Sequence, residues 1–292
     1  MTFSPKGATR MSSRIVRSTI AAGLLLLGSS AVALSQEAAG ETYEPTITKQ
    51  MWSFAGPFGK FDKGQLQRGY KVYKEVCSNC HSMKFVSFRN LSQEGGPGFS
   101  EAEVKALAAT FKVQDGPNDK GEMFERPGKP SDAFPSPFPN SEAAKVANNG
   151  AVPPDMSLLA KARSDEKHFP QFIFNAFLQY QEYGADYIYS LMTSYGDDAK
   201  KCETGYYNTA YIGSKPCVAM PKPLSDGQVT YDDGTKETVD QYARDVSAFL
   251  MWTAEPKLEE RKETGLKVIV FLIVFAGLLY LTKRRIWSNV AH

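Results

Sequence analysis

Cys77, Ser78, Asn79, Cys80 and His81 stand in succession, the spacing by which a polypeptide fixes a c-type haem. Two thioether bonds would hold the porphyrin edge through Cys77 and Cys80. His81 would lie under the ring, where an imidazole nitrogen can take one axial position on the iron. A bare cysteine pair at this spacing also serves thiol redox proteins and zinc ribbons. Zinc would need two further ligands, and the remaining Cys202, Cys217, His168 and His292 form no second pair at zinc spacing. The rest of the chain is therefore read as the housing of one covalently bound haem.

Leu66, Tyr70, Tyr73 and Cys77 recur at helical spacing, which predicts a short amphipathic helix delivering the motif. Gln65, Arg68, Lys71, Lys74 and Glu75 fill its other, wetted face. Ser100 and Glu103 form a capping box ahead of Val104, Leu107, Ala108 and Phe111, and a further helix is expected from about Ser141 to Asn148. Thr238 and Gln241 repeat the box ahead of Tyr242, Val246, Phe249 and Leu250, with Pro256 breaking or bending the chain after them. The one hairpin signal is Gln228 to Lys236, with Asp233-Gly234 as its turn. Gly, Pro and Asn crowd residues 95–139 and 202–234, which implies long loops held against the cofactor. The expected fold class is mainly α, a c-type haem domain with long loops plus one C-terminal transmembrane helix.

Both ends of the chain bear on its location. Residues 1–13 are basic and polar, Arg14 and Arg17 follow, and Ile20 to Leu27 form an apolar run that closes in small residues around Ala31-Val32-Ala33. This is the pattern of a secretory signal peptide. The run is short of the roughly 20 residues that cross about 30 Å of hydrocarbon, so cleavage between Ala33 and Ala39 is expected. Near the other end Leu266 to Thr282 is almost wholly apolar, Lys267 can snorkel at its edge, and Lys283, Arg284 and Arg285 follow. Such a segment reaches about 26 Å as a helix, enough to span once. The positive-inside rule places the three basic residues in the cytoplasm and everything between the two apolar segments outside. The expected organisation is a signal peptide over residues 1–35, a haem domain over 36–262, an anchor over 263–285 and a cytoplasmic tail over 286–292. In a bacterium this describes a single-pass protein of the inner membrane with its haem domain in the periplasm.

The chain holds 34 basic and 32 acidic residues. Residues 1–36 and 264–292 each hold four basic and no acidic ones, so 26 basic face 32 acidic residues between them, a net charge of −6. An acidic surface steers basic partners, with a force that fades beyond roughly 8 Å at physiological ionic strength. A basic soluble cytochrome c is the natural candidate, although a modest acidic excess also simply keeps a domain in solution.

The sixth iron ligand separates an electron carrier from an enzyme, because a thioether closes the iron and raises its potential whereas an open position admits small molecules. His292 is the last residue, beyond the anchor, and His168 in Lys167-His168-Phe169-Pro170 is read as a surface or capping residue. Met83 is too close to His81 to reach the opposite face, Met192 and Met251 fall in helical core patterns, and Met1, Met11 and Met51 are terminal. Met123, Met156 and Met220 remain. Met220 is the choice, since Pro221 and Pro223 stiffen its loop and limit the entropy lost on fixing a flexible side chain.

Several further segments carry a family resemblance. They are Arg68-Gly69-Tyr70-Lys71-Val72-Tyr73, Val113-Gln114-Asp115-Gly116-Pro117-Asn118, Gly121-Glu122-Met123-Phe124-Glu125-Arg126-Pro127-Gly128, Ala147 to Ser157 and Asp245 to Leu250 with Ala254-Glu255-Pro256. In this order, ending in an apolar anchor, the chain resembles the cytochrome c1 family, the membrane-anchored haem subunit of the cytochrome bc1 complex, in its bacterial form. The resemblance implies that Cys77 and Cys80 hold haem c, that His81 and Met220 are its axial ligands, and that Arg163 and Tyr187 bind the propionates. A guanidinium can meet a carboxylate bidentately and a phenol can add a hydrogen bond. Asn148 and Pro154 match residues that line the haem pocket.

Two departures stand out. Ser164 to Ala185, with Phe169, Phe172, Phe174, Phe177, Tyr180 and Tyr183, is longer than the corresponding link in mitochondrial relatives. Cys202 and Cys217 are not needed for haem attachment and, in an oxidising compartment, are expected to form a disulfide that tethers the loop leading to Met220.

The resemblance also implies function. Electrons would pass from a Rieske iron-sulfur protein through the haem to a soluble or tethered cytochrome c, with cytochrome b as a membrane partner in a dimeric complex. The subunit itself would have no catalytic site and no nucleic-acid partner. The competing readings are an independent membrane-anchored carrier, needing only a small haem domain and a flexible linker, and a haem enzyme with a displaceable sixth ligand.

Overall fold

In the computed structural model, which describes residues 43–164, 170, 182–196 and 202–289, Leu66, Tyr70 and Tyr73 lie on the buried side of helix α1, Lys63–Glu75. The expected signal peptide, His168, the aromatic run from Phe169 to Tyr180 and His292 lie outside the described residues. α1 starts where Asp62 accepts a hydrogen bond from the Gln65 amide at 2.6 Å, satisfying one of the free N–H groups of the first turn. Its end passes into a tight turn, Cys77–Asn79, so the haem motif follows the helix directly.

Helix α6, Val239–Ala254, crosses α1 in the most extensive helix pairing of the domain. The crossing is made at Gly69, where a Cβ would stand 2.1 Å from the Asp245 carbonyl oxygen and 2.7 Å from the Phe249 Cβ. Glycine costs a helix interior about 1 kcal/mol relative to alanine; here it lets two backbones touch. Around this point Tyr70 meets Phe249 with ring centroids 5.7 Å apart and Phe249 meets Trp252 at 5.6 Å. Leu66, Val72, Tyr242, Leu250 and Met251 are buried with them.

The polar face of α1 is wetted at Lys74 and Glu75, as its pattern suggests, but not at Arg68. Arg68 reaches across to the fully buried Asp245 at 3.0 Å, which also accepts hydrogen bonds from Tyr231 and Gln241, each at 2.9 Å. Gln241 thereby serves Asp245, while its amide alone bonds the Thr238 cap at 3.3 Å. Burial pushes the Asp245 carboxyl above its ordinary range even with the guanidinium beside it, and a group so desolvated persists in a core only when partnered this fully.

The remaining elements are short. Helix α2, Glu101–Ala109, begins with the Ser100–Glu103 capping box that the sequence predicts. α3, Ser141–Ala147, α4, Leu159–Ala162, and α5, Tyr183–Thr193, follow. Two antiparallel ladders were not foreseen: β1, Lys112–Asp115, with β2, Phe124–Pro127, in register Lys112 to Pro127; and β3, Tyr206–Tyr207, with β4, Cys217–Val218. The expected hairpin over 228–236 does not form. Asp232 and Asp233 instead bind Lys71 and Arg68 of α1 at 3.1 and 2.7 Å, and Glu237 accepts the Tyr231 amide at 3.0 Å. These side chains pin the segment to the helix as a loop.

Glu255 ends α6, and after Pro256 helix α7 runs through Leu258–Trp287. It begins ahead of the expected anchor at residue 263, and its first turns belong to the head. Leu258 is buried, the Phe61 amide donates to Glu259 at 2.9 Å, and the Lys262 ammonium, itself buried, donates to the Phe54 carbonyl at 2.6 Å. Beyond Leu266 the apolar side chains stand exposed. Among the described residues α7 is the helix long and apolar enough to cross a membrane.

Gly69→Ala forces the α1–α6 backbones apart and is expected to destabilise the domain by about 3 kcal/mol, the upper range for overpacking a core. Because α1 leads into the haem motif, haem-stained protein per cell falls with it. Normal haem content and an unchanged melting temperature in this variant contradict the crossing as described.

Candidate haem site

Cys77 is half-buried in its turn and Cys80 is exposed; they are not joined to each other. Burial pushes the Cys77 thiol up to about 12, with the neighbouring Cys80 adding to the effect. The His81 amide donates to the Cys77 carbonyl at 2.9 Å, which closes the turn and carries the imidazole inward to 8% exposure. Its Nδ1 stands 2.8 Å from the Pro154 carbonyl oxygen. A carbonyl only accepts, so Nδ1 carries the proton and Nε2 keeps its lone pair. Burial holds the imidazole below its ordinary range, opposed by the Pro154 bond and the nearby Asp155 charge. The imidazole is thus neutral, with one nitrogen available to a metal.

α5 packs on α4 through Gly184, where a Cβ would fall 1.6 Å from the Ala160 carbonyl oxygen. This approach brings Arg163, which closes α4, into hydrogen bonding with the buried Tyr187 of α5. Burial raises the Tyr187 phenol, while a bond to the Ile212 backbone and the guanidinium oppose that rise. The two residues matched to propionate binding therefore meet.

Tyr187 also neighbours Tyr195, whose hydroxyl donates to the Met220 carbonyl at 3.1 Å. Met220 itself is partly buried against the core. Its loop leaves the β3–β4 ladder, beside which Cys202 and Cys217 form the expected disulfide. Fully buried Asn208 fastens the same region, donating from its side chain to Leu191 and from its amide to Pro216, both at 2.8 Å.

The other methionines are placed differently. Met123 is 61% exposed by the β1–β2 turn, and the Met156 amide donates at 2.8 Å to the Ser82 carbonyl, on the segment of His81 itself. The Asn148 side chain closes the end of α3 by donating to the Ala144 carbonyl at 2.8 Å, so its hydrogen bonding stays within that helix. Two unpaired thiols, a neutral imidazole with a free nitrogen and a thioether on a separate tethered loop form a donor set that suits haem c.

A family model described as the Cytochrome C1 family matches residues 52–290. The chain belongs to the cytochrome c1 family. It is 54% identical over 274 residues to cytochrome b/c1 of Bradyrhizobium diazoefficiens, covering 92% of this chain but 39% of that protein. It is 43% identical to cytochrome c1 of Blastochloris viridis, covering 93% of this chain and 96% of the relative. With cytochrome c1 of Rhodospirillum rubrum the identity is 42%, over 97% and 100% of the two chains. As a member of the cytochrome c1 family the chain carries one covalently bound haem c and serves electron transport, anchored by its C-terminal apolar helix.

Three features of this cytochrome c1-family site escaped sequence reasoning: the contact of Gly184 with α4, the Tyr195 bond to Met220 and a set of hydrogen bonds around Asp155. The first two depend on elements distant in sequence. The third had a visible signal in Asp155-Met156-Ser157, since Asp and Ser beside a turn commonly accept backbone hydrogen bonds.

Closing a loop of this size is worth about 3 kcal/mol in the chain-entropy model, and the Cys202–Cys217 bridge spends that constraint beside Met220. If Met220 ligates the iron, as the family resemblance implies, the double variant Cys202→Ala, Cys217→Ala is expected to loosen the thioether and lower the haem potential, because thioether ligation favours the ferrous iron. A redox titration showing an unchanged potential refutes the tether.

Proposed function

We propose that this chain is the haem subunit of a cytochrome bc1 complex, taking electrons from a Rieske iron-sulfur protein and passing them to a soluble or tethered cytochrome c. In this reading Cys77 and Cys80 would hold the haem, His81 and Met220 would ligate its iron, and Arg163 with Tyr187 would meet the propionates. Asn148 and Pro154 line the pocket, Pro154 through its carbonyl. When bound, the haem would supply one-electron chemistry; the residues would fix it and ligate its iron, with no substrate transformed by the subunit itself.

The observation that carries the proposal is the junction between head and anchor. A tethered carrier needs slack between haem and membrane. Here α7 enters the head without a linker: Leu258 is buried, Lys262 binds the Phe54 carbonyl and Glu259 binds the Phe61 amide. Lys161 and Arg261 both bind Glu255 at the break between α6 and α7, at 3.1 and 2.6 Å. A haem held at one height suits a subunit fixed among partners.

The name cytochrome b/c1 of the Bradyrhizobium relative, and the 39% of that protein which this chain covers, support cytochrome b as a membrane neighbour. The basic Lys283, Arg284 and Arg285 after the span support a haem domain on the periplasmic side, with residues 36–262 outside, 263–285 in the bilayer and a signal peptide removed. The dimeric assembly belongs to the same proposal.

After mild detergent extraction, the full chain is expected to copurify with a cytochrome b and a Rieske protein in stoichiometric amounts. Recovery alone, with full haem, points to the independent carrier. The reduced protein is expected to bind carbon monoxide slowly or not at all; rapid binding indicates an open iron and the haem-enzyme reading.

A further inference from the structure

His81 and Pro154 lie on two segments distant in sequence, and their hydrogen bond requires those segments to be held in register. Asp155 sits at the join. Its Oδ2 accepts the Ser82 hydroxyl at 2.7 Å and the Lys84 amide at 2.9 Å, while its Oδ1 accepts the Ser157 amide at 2.9 Å. Ser157, fully buried, accepts the Phe85 amide on its hydroxyl at 3.1 Å, and the Met156 amide donates to the Ser82 carbonyl at 2.8 Å. Residues 82–85 and 155–157 are thus laced together immediately beside the His81 and Pro154 pair.

The covalent geometry turns this lacing into control of one atom. The Pro154 carbonyl belongs to the planar Pro154–Asp155 peptide unit. Once the Asp155 side chain is fixed on Ser82 and Lys84, that plane has little freedom to rotate, and its oxygen stays aimed at the His81 Nδ1. Pro153 and Pro154 limit rotation from the other side by their fixed φ. Hydrogen bonds to an ionised carboxylate are stronger than neutral ones, so Asp155 suits the task better than an amide would.

We propose that Asp155 is the positioning residue of the proximal ligand: by clamping the Pro154–Asp155 peptide to Ser82 and Lys84, it keeps the Pro154 carbonyl on the His81 Nδ1–H and so sets the basicity of the nitrogen that faces the iron. This rests on His81 being that ligand. A histidine that donates its outer N–H to a carbonyl is a more basic ligand, and a more basic ligand favours ferric over ferrous iron. Loosening the clamp therefore raises the haem potential.

The test uses the full-length, haem-loaded protein in its membrane, with redox titration and low-temperature electron paramagnetic resonance of the ferric state. Asp155→Asn offers one oxygen where the carboxylate offers two, and cannot serve Ser82, Lys84 and Ser157 together. Ser82→Ala removes one arm and keeps the charge. Both variants are expected to raise the potential and displace the ferric signal, Asp155→Asn further than Ser82→Ala.

Haem-loaded variants with the wild-type potential and signal overturn the proposal, even if they melt earlier. A rise in Asp155→Asn with Ser82→Ala unmoved overturns it too, since that pattern belongs to the carboxylate charge felt at a distance. Should Asp155→Asn not take up haem, Ser82→Ala decides by the same two readouts. Failure of the ligand assignment is separable: a wild-type ferric signal lacking an axial imidazole nitrogen excludes His81 before any variant is made.

Discussion

The backbone contact at Gly69 is the constraint on which the rest is built. Two helices from opposite ends of the head touch there, with the Asp245 carbonyl occupying the space a side chain would need. The contact fixes where α1 ends, and so where Cys77, Cys80 and His81 begin. It also fixes α6, against which α4 and α5 pack. Half-buried Arg68 and the fully buried, fully partnered Asp245 seal the same crossing. Close packing of this kind is intolerant of added volume, which is why one missing side chain matters to elements on both sides of the domain.

From that crossing two supports diverge toward the haem residues. One runs through the motif to His81 and the carbonyl of Pro154, held by polar side chains in loops. The other runs through α4 and α5 to Arg163, Tyr187 and Tyr195 and ends on the Met220 backbone. Neither support is a long regular element. Hydrogen bonds from Asp, Ser, Asn and Tyr, together with a disulfide, do in these loops what ladders do in a sheet. A flat cofactor needs walls shaped to it on both faces, and loops pinned at many points supply such walls.

Much of this was legible in the sequence because it is local. The stripe through Leu66, Tyr70 and Tyr73, the cap at Ser100 and Glu103, the break at Pro256 and the apolar span each depend on residues a few positions apart. The Cys202–Cys217 pairing was legible from chemistry and compartment. What was hidden is non-local. The α1 surface looked solvated because Asp245, far along the chain, cannot be seen beside Arg68. The segment 228–236 looked like a hairpin because Lys71 and Arg68, which claim its carboxylates, lie elsewhere. The role of Asp155, within the Ala147–Ser157 motif, was hidden because its partners Ser82 and Lys84 are more than seventy positions away.

The uninterrupted entry of α7 into the head has a further consequence. A group mounted on an inflexible post cannot travel to meet its donor or its acceptor. If electrons are to arrive from one place and depart toward another, whatever displacement that requires must be made by the molecules that visit. Under the proposed function, the stationary part of that division of labour falls to two turns of helix, where Leu258, Glu259 and Lys262 tie the anchor to the head.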